Sequence, residues 1–124
     1  VRLVGSEMCI RDRSGADGVM IGRGAQGRPW LLAEIAHALY GTTAPERPSG
    51  AAFAEMVMVH YEDTLRFYGD LLGLRVARKH LGWFMDTAGT STDARRAVLT
   101  AKTPAATLAL LPAALSSSEG QVAA

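Results

Sequence analysis

A single cysteine, Cys9, stands in these 124 residues, which excludes a disulfide framework and a cysteine-rich metal site within the chain. The three histidines, His37, His60 and His80, miss the i, i+4 spacing that sets two zinc ligands on one helix turn. No metal is therefore expected. There is no apolar run of about eighteen residues and no signal-peptide pattern, so the expectation is a cytoplasmic protein without a membrane span. Strong net charge is also lacking: the formal value of +1 neither favours nor excludes a nucleic-acid partner. Aromatic residues make up only 6% of the chain against 48% hydrophobic residues in all, so a packed core is attainable and wholesale disorder is not expected.

What is present is unevenly distributed. Between Arg66 and Lys102 seven basic residues face three acidic ones, a local excess that favours a polyanionic partner over a merely solvated surface only if other features agree. Residues 1–13, VRLVGSEMCIRDR, carry no helical or strand period. The string SEMCIRDR resembles translated adapter read-through, and 1–13 is expected to be a non-native leader in which Cys9 has no catalytic role. Order begins with SGADG, a turn, followed by Val19-Met20-Ile21, a short run of the kind seen in a strand buried on both faces. A glycine loop follows. The next stretch, Pro29 to Tyr40, reads as a helix with Pro29 in its first position and Gly41 as its left-handed stop.

Residues 42–50, TTAPERPSG, form a linker with two prolines. Beyond it Phe53, Met56, Val57, His60, Thr64 and Phe67 repeat at helical spacing, up to a stop at Gly69. His60 and the methionines 56 and 58 are expected to pack, as is Trp30. The segment LRVARKHLGWFMDTAG has two unlike faces. Leu74, Ala77, Leu81 and Phe84 share one; Arg75, Arg78, Lys79 and Gly82 share the other, with Trp83 at its edge. A helix over DARRAVLTAK is expected to start at a Thr92 or Asp93 cap. More Ala/Leu-rich helix should follow, broken near Pro104 and Pro112, with a frayed tail over 116–124.

Gly22-Arg23-Gly24-Ala25-Gln26-Gly27 matches G-x-G-x-x-G. A Rossmann turn, however, opens its helix within the motif and places an acidic residue at the end of a second strand about 20 positions on. Here the helix starts after the third glycine. Glu46, at roughly the right distance, lies in APERPSG, which cannot be a central strand. A (β/α)8 barrel offers another use for strand, glycine loop and helix, since the loops after its last strands hold phosphate. Gly22 would let backbone approach an anion, and Arg23 would supply a forked pair of charged donors. No later strand is then required.

Three blocks, SGADGVMIGRGAQGRPWLLAEIAH, HYEDTLRFYG and GLRVARKHLGWFM, resemble in order and spacing the C-terminal part of bacterial tRNA-dihydrouridine synthases, over about residues 14–100. The resemblance implies an α/β fold, here the C-terminal end of a (β/α)8 TIM barrel followed by an all-α domain. Residues 14–41 would be the last βα unit of an FMN barrel, and 51–115 a helical tRNA-binding domain. It implies that Gly22 and Arg23 hold the FMN phosphate. It further implies that NADPH reduces the flavin, that hydride passes to C6 of a tRNA uridine, and that a cysteine protonates C5. That cysteine, the Asn-Gly-Asp of the preceding strand and most of the barrel have no counterpart here, so the chain resembles a C-terminal fragment, inactive alone. For tRNA the residues assigned are Arg75, Arg78, Lys79 and His80, with Arg95 and Arg96 as weaker contacts. His80 points toward the apolar side and could instead be a packed histidine, and Trp83 could stack on a base or pack on the barrel. A monomer is expected. A non-catalytic helical RNA-binding module and a Rossmann oxidoreductase fragment remain as alternatives.

Overall fold

The computed structural model describes residues 15, 17, 18 and 20–116. The leader 1–13 with Cys9, and most of the tail 116–124, lie outside the described residues. The chain divides into two compact units, the first ending at Arg47 and the second starting at Pro48.

In the first unit the glycine segment forms a short 3-10 turn, Arg23–Ala25, followed by helix α1, Leu31–Tyr40. The expected strand is not formed by Met20 and Ile21. A strand needs a neighbour for its backbone groups, no strand occurs among the described residues, and Met20 is 93% exposed. Helix α1 starts two residues later than expected. Pro29 lies in a turn in which Leu31 N–H donates to the Arg28 carbonyl at 3.0 Å, a place that suits the fixed φ of proline as well as the first helical position does. Gly41 adopts the left-handed conformation, φ 70°, and its N–H donates to the His37 carbonyl, closing the helix. Leu31 and Ile35 are the buried residues of α1.

The second unit is helical: α2, Gly50–Tyr68; α3, Asp70–Ala88; α4, Thr92–Thr100; and α5, Pro104–Ser116. Only Gly69 separates α2 from α3, at φ 82°, so the two helices fold back as a hairpin. Gly73 lets them approach closely: a Cβ there would lie 3.0 Å from Leu65 Cα. α2 also packs on α5, and α5 on α3 and α4. Phe53, Val57 and Tyr61 of α2 meet Leu81, Phe84 and Met85 of α3 and Leu111 and Leu115 of α5 in one core. The Phe53 and Phe84 rings sit edge to face at 6.0 Å.

Three expectations are corrected here. The buried row of α2 runs Phe53, Ala54, Val57, Tyr61, not through Phe67, which is 81% exposed. Packing of α5 against α2 selects the row on that side. The cap of α4 is Ser91, whose hydroxyl accepts from Ala94 N–H. Thr92 and Asp93 fall inside the first turn, where Asp93 still faces the positive helix end. Pro112 does not break α5. It is exposed and forgoes only the one backbone N–H that proline lacks, with a single turn of helix following it. Pro104 opens that helix in its first position, with Thr103 capping it: its hydroxyl accepts from Ala106 N–H at 3.2 Å.

Candidate functional site

Two sites follow from these elements, one in each unit. In the first, the turn Arg23–Ala25 is fastened from below. Arg28 Nη2 donates to the Gly24 carbonyl at 3.0 Å, and Gly27 takes φ 77°, a conformation open to glycine at little cost. Tyr40 Oη donates to the Asp17 carbonyl at 3.0 Å, tying the end of α1 to the segment before the loop. Arg23 is exposed; its carbonyl accepts from Gln26 N–H at 3.1 Å, while its guanidinium makes no hydrogen bond or ion pair among the described residues. A Cβ at Gly22 would meet nothing within 4 Å, so the space beside the turn is open. The two arginines thus divide: Arg28 braces, and Arg23 offers its guanidinium to solvent. The sequence did not separate them, because both border the glycines. Glu46 lies in the irregular segment between Gly41 and Gly50, not at the end of a strand.

In the second unit α3 carries the basic residues. Arg75 and Lys79 are exposed, while Arg78 is half-buried and its Nε is enclosed without a hydrogen-bond partner. Gly82 departs from the expected solvent face. It is buried because Arg95 of α4 lies across it, with Arg95 Nη1 donating to the Gly82 carbonyl at 2.9 Å and also to Asp86 Oδ1. A side chain at 82 would meet the Arg95 guanidinium at 3.0 Å. Arg95 is therefore occupied within the protein, whereas Arg96 is exposed. The result is a groove of about 430 Å³ between α3 and α4, with Arg78, Lys79 and Trp83 on one wall and Arg95 and Leu99 on the other. Its cations outnumber its one carboxylate, Asp86.

His80 turns away from this groove. Its ring lies 5.2 Å from Trp83, edge to face, and 5.2 Å from His60 of α2, and it lines a separate cleft with His60, Asp63 and Phe67. His60 in turn meets Phe84 edge to face at 5.4 Å. Burial holds the His60 pKa below its ordinary 6.5, and the charge of His80 acts in the same direction, against Asp63. The structure therefore gathers Arg78 and Lys79 in one groove with Arg75 on the same helix, and sets His80 apart. Reading α3 alone missed the His60–His80 pairing, since the partner comes from α2. No group of three or more His, Cys, Asp or Glu among the described residues could hold a metal ion. Among them no helix is long and apolar enough to cross a membrane.

Comparison with known proteins agrees over nearly the whole chain. The family model described as Dihydrouridine synthase (Dus) matches residues 7–119. A Rhodobacter capsulatus protein named probable tRNA-dihydrouridine synthase is 55% identical over 108 residues, 87% of this chain and 33% of that protein. The tRNA-dihydrouridine synthase B of Xanthomonas axonopodis pv. citri is 47% identical over 97 residues, 78% of this chain and 29% of that protein. A Rickettsia conorii protein, also named probable tRNA-dihydrouridine synthase, is 44% identical over 86 residues, 69% of this chain and 26% of that protein. The chain spans about a third of the length of these curated relatives or less.

Proposed function

The chain belongs to the dihydrouridine synthase family, and from that premise we propose that it is the C-terminal part of a cytoplasmic, monomeric tRNA-dihydrouridine synthase. The observation that carries the proposal is the 55% identity over 87% of the chain to a relative bearing that name. Residues 14–41 are the last unit of a barrel that holds FMN, 42–50 the linker, and 51–115 the helical part that grips tRNA. A bound flavin, itself reduced by NADPH, would supply hydride to C6 of the uridine, and a proton added at C5 would complete saturation of the C5–C6 bond. The catalytic cysteine belongs to the part of the protein that this chain does not include.

The residues of the turn fit a phosphate. Arg23 is exposed and outside the bracing network, so its planar fork can face two phosphate oxygens at once. The open space at Gly22 admits such a group against backbone. Arg28 keeps the turn in shape while Arg23 binds. In the helical unit, Arg78 and Lys79 line the groove and Arg75 flanks them on α3. Cations so placed neutralise backbone phosphates without reading bases. A uridine within folded tRNA has to leave its stack to be reduced, at a few kcal/mol, and such phosphate pairing helps offset that cost.

The two assignments are separable in the full-length protein that carries this chain. Arg23→Ala should release flavin and leave tRNA affinity nearly unchanged. Arg78→Ala combined with Lys79→Ala should keep the flavin, weaken tRNA binding, and reduce the log–log salt slope by roughly 0.7–0.9 for each phosphate no longer neutralised. Full flavin retention in the first variant removes Arg23 from the phosphate site. An unchanged affinity and slope in the second removes the groove from tRNA binding.

A further inference from the structure

The α2–α3 hairpin carries a second cleft, of about 360 Å³, that the basic groove does not explain. One wall is aromatic and open: Phe67 is 81% exposed and Tyr68 45%, with their rings edge to face at 4.8 Å. Its inner part is formed by the rings of His60 and His80, 5.2 Å apart and tilted by 53°. Polar groups stand at the rim. Asp63 accepts from Arg66 through one oxygen at 2.9 Å, so its other acceptor positions remain available. Thr64 donates to the His60 carbonyl at 2.8 Å and can still accept. A contact between two protein cores would bring apolar groups together. Here flat rings stand beside hydrogen-bonding groups, the mixture that fits a heterocycle.

The cleft also adjoins the cations. Val76 and His80, which line it, each follow a basic residue, Arg75 and Lys79, and so sit one helical step of about 100° from that charged row. Trp83, edge-on to His80, lines the basic groove and carries ring surface from one hollow toward the other. A polyanionic strand laid along Arg75, Arg78 and Lys79 would bring its own flat groups to this cleft. We propose that the cleft receives an unstacked nucleobase of the RNA whose phosphates lie along that row, with Phe67 and Tyr68 as stacking faces and His60, His80 and Asp63 as hydrogen-bonding partners. This rests on the RNA reading of the groove given above. Stacking of this kind tolerates any base and strengthens grip more than sequence choice.

The test is a salt series of tRNA affinity with the full-length protein and an unmodified tRNA transcript. Phe67→Ala should weaken binding by about five- to a hundredfold with the salt slope unchanged, because a ring carries no charge. Phe67→Tyr should restore affinity, and Phe67→Leu, apolar but without a ring face, should behave as the alanine variant. The idea is overturned if Phe67→Ala and Tyr68→Ala both bind tRNA as the parent does, or if leucine restores binding. A lowered melting midpoint with intact affinity would also overturn it, by assigning Phe67 to packing against the rest of the protein. Arg78→Ala with Lys79→Ala, measured in the same salt series, separates the two readings. If that pair lowers the salt slope while the ring variants bind normally, only the cleft proposal fails. If it changes nothing, the RNA reading of the groove fails as well.

Discussion

His60 shows how one residue couples packing to solution conditions. It lies against Phe84 and faces His80 across the hairpin, while Asp63 stands one turn along α2. Burial, then the neighbouring imidazole, holds its pKa below 6.5, with Asp63 opposing. Between the lowered value and the ordinary one the unfolded chain binds more protons than the folded chain, so stability rises with pH across that interval. The contribution is fully present above about pH 6.5 and is lost as the pH falls through that value toward the folded one. The melting midpoint of the protein should therefore drop between pH 7.5 and pH 5.5, and His60→Gln should flatten that dependence. Equal slopes in parent and variant would assign the pH response to other groups. The same residue marks a limit of sequence reading. A histidine in an apolar period reads as packed, but nothing in α2 reveals that its ring meets His80 from α3.

The helices differ in how far their environment was legible. The apolar face of α3 could be read from Leu74, Ala77, Leu81 and Phe84, and all four are buried, because one dominant row at 3.6-residue spacing leaves a single choice. In α2 two overlapping rows compete, and the choice of Tyr61 over Phe67 depends on α5, which begins only at Pro104. The basic face of α3 was legible in composition but not in depth, since α4 covers Gly82 through Arg95. The hairpin itself depends on close approach at Gly73. A Cβ there would meet Leu65 Cα at 3.0 Å and the Thr64 carbonyl at 3.2 Å, and backbone cannot swing aside. Gly73→Ala gains about 1 kcal/mol of helix propensity but incurs roughly 1–3 kcal/mol of overpacking, so a net loss is expected. At Gly82 the nearest atom is the far end of the Arg95 side chain, which can move, and Gly82→Ala should stay within about 1 kcal/mol of the parent. Denaturant unfolding of the two variants checks the contrast; equal losses would mean that the α2–α3 contact is not the tight one.

Across the molecule the buried side chains are unequally shared. In the first unit, Leu31 and Ile35 are the buried apolar side chains among the described residues. The second unit buries Phe53, Val57, Tyr61, Leu81, Phe84, Met85, Val98, Leu111 and Leu115, with every one of its helices contributing. Its helix ends are also closed within the unit. Gly89, at φ 71°, stops α3, and the N–H of Thr90 returns to the Met85 carbonyl at 3.0 Å, while the Thr90 hydroxyl donates to the Ala114 carbonyl near the end of α5 at 2.8 Å. Each large side chain so buried contributes about 1.5–3 kcal/mol against leaving it exposed, and local helical contacts favour independent folding. The described residues of the first unit form no such core, and a strand at Met20 and Ile21 would need neighbouring strands to pair with. Residues 48–116 expressed alone should thus be helical by circular dichroism and melt cooperatively, although a domain this small is marginal. Residues 15–47 alone should show no cooperative transition. A non-cooperative melt of 48–116 would mean that its core is completed by the two-thirds of the relatives' length that this chain does not span.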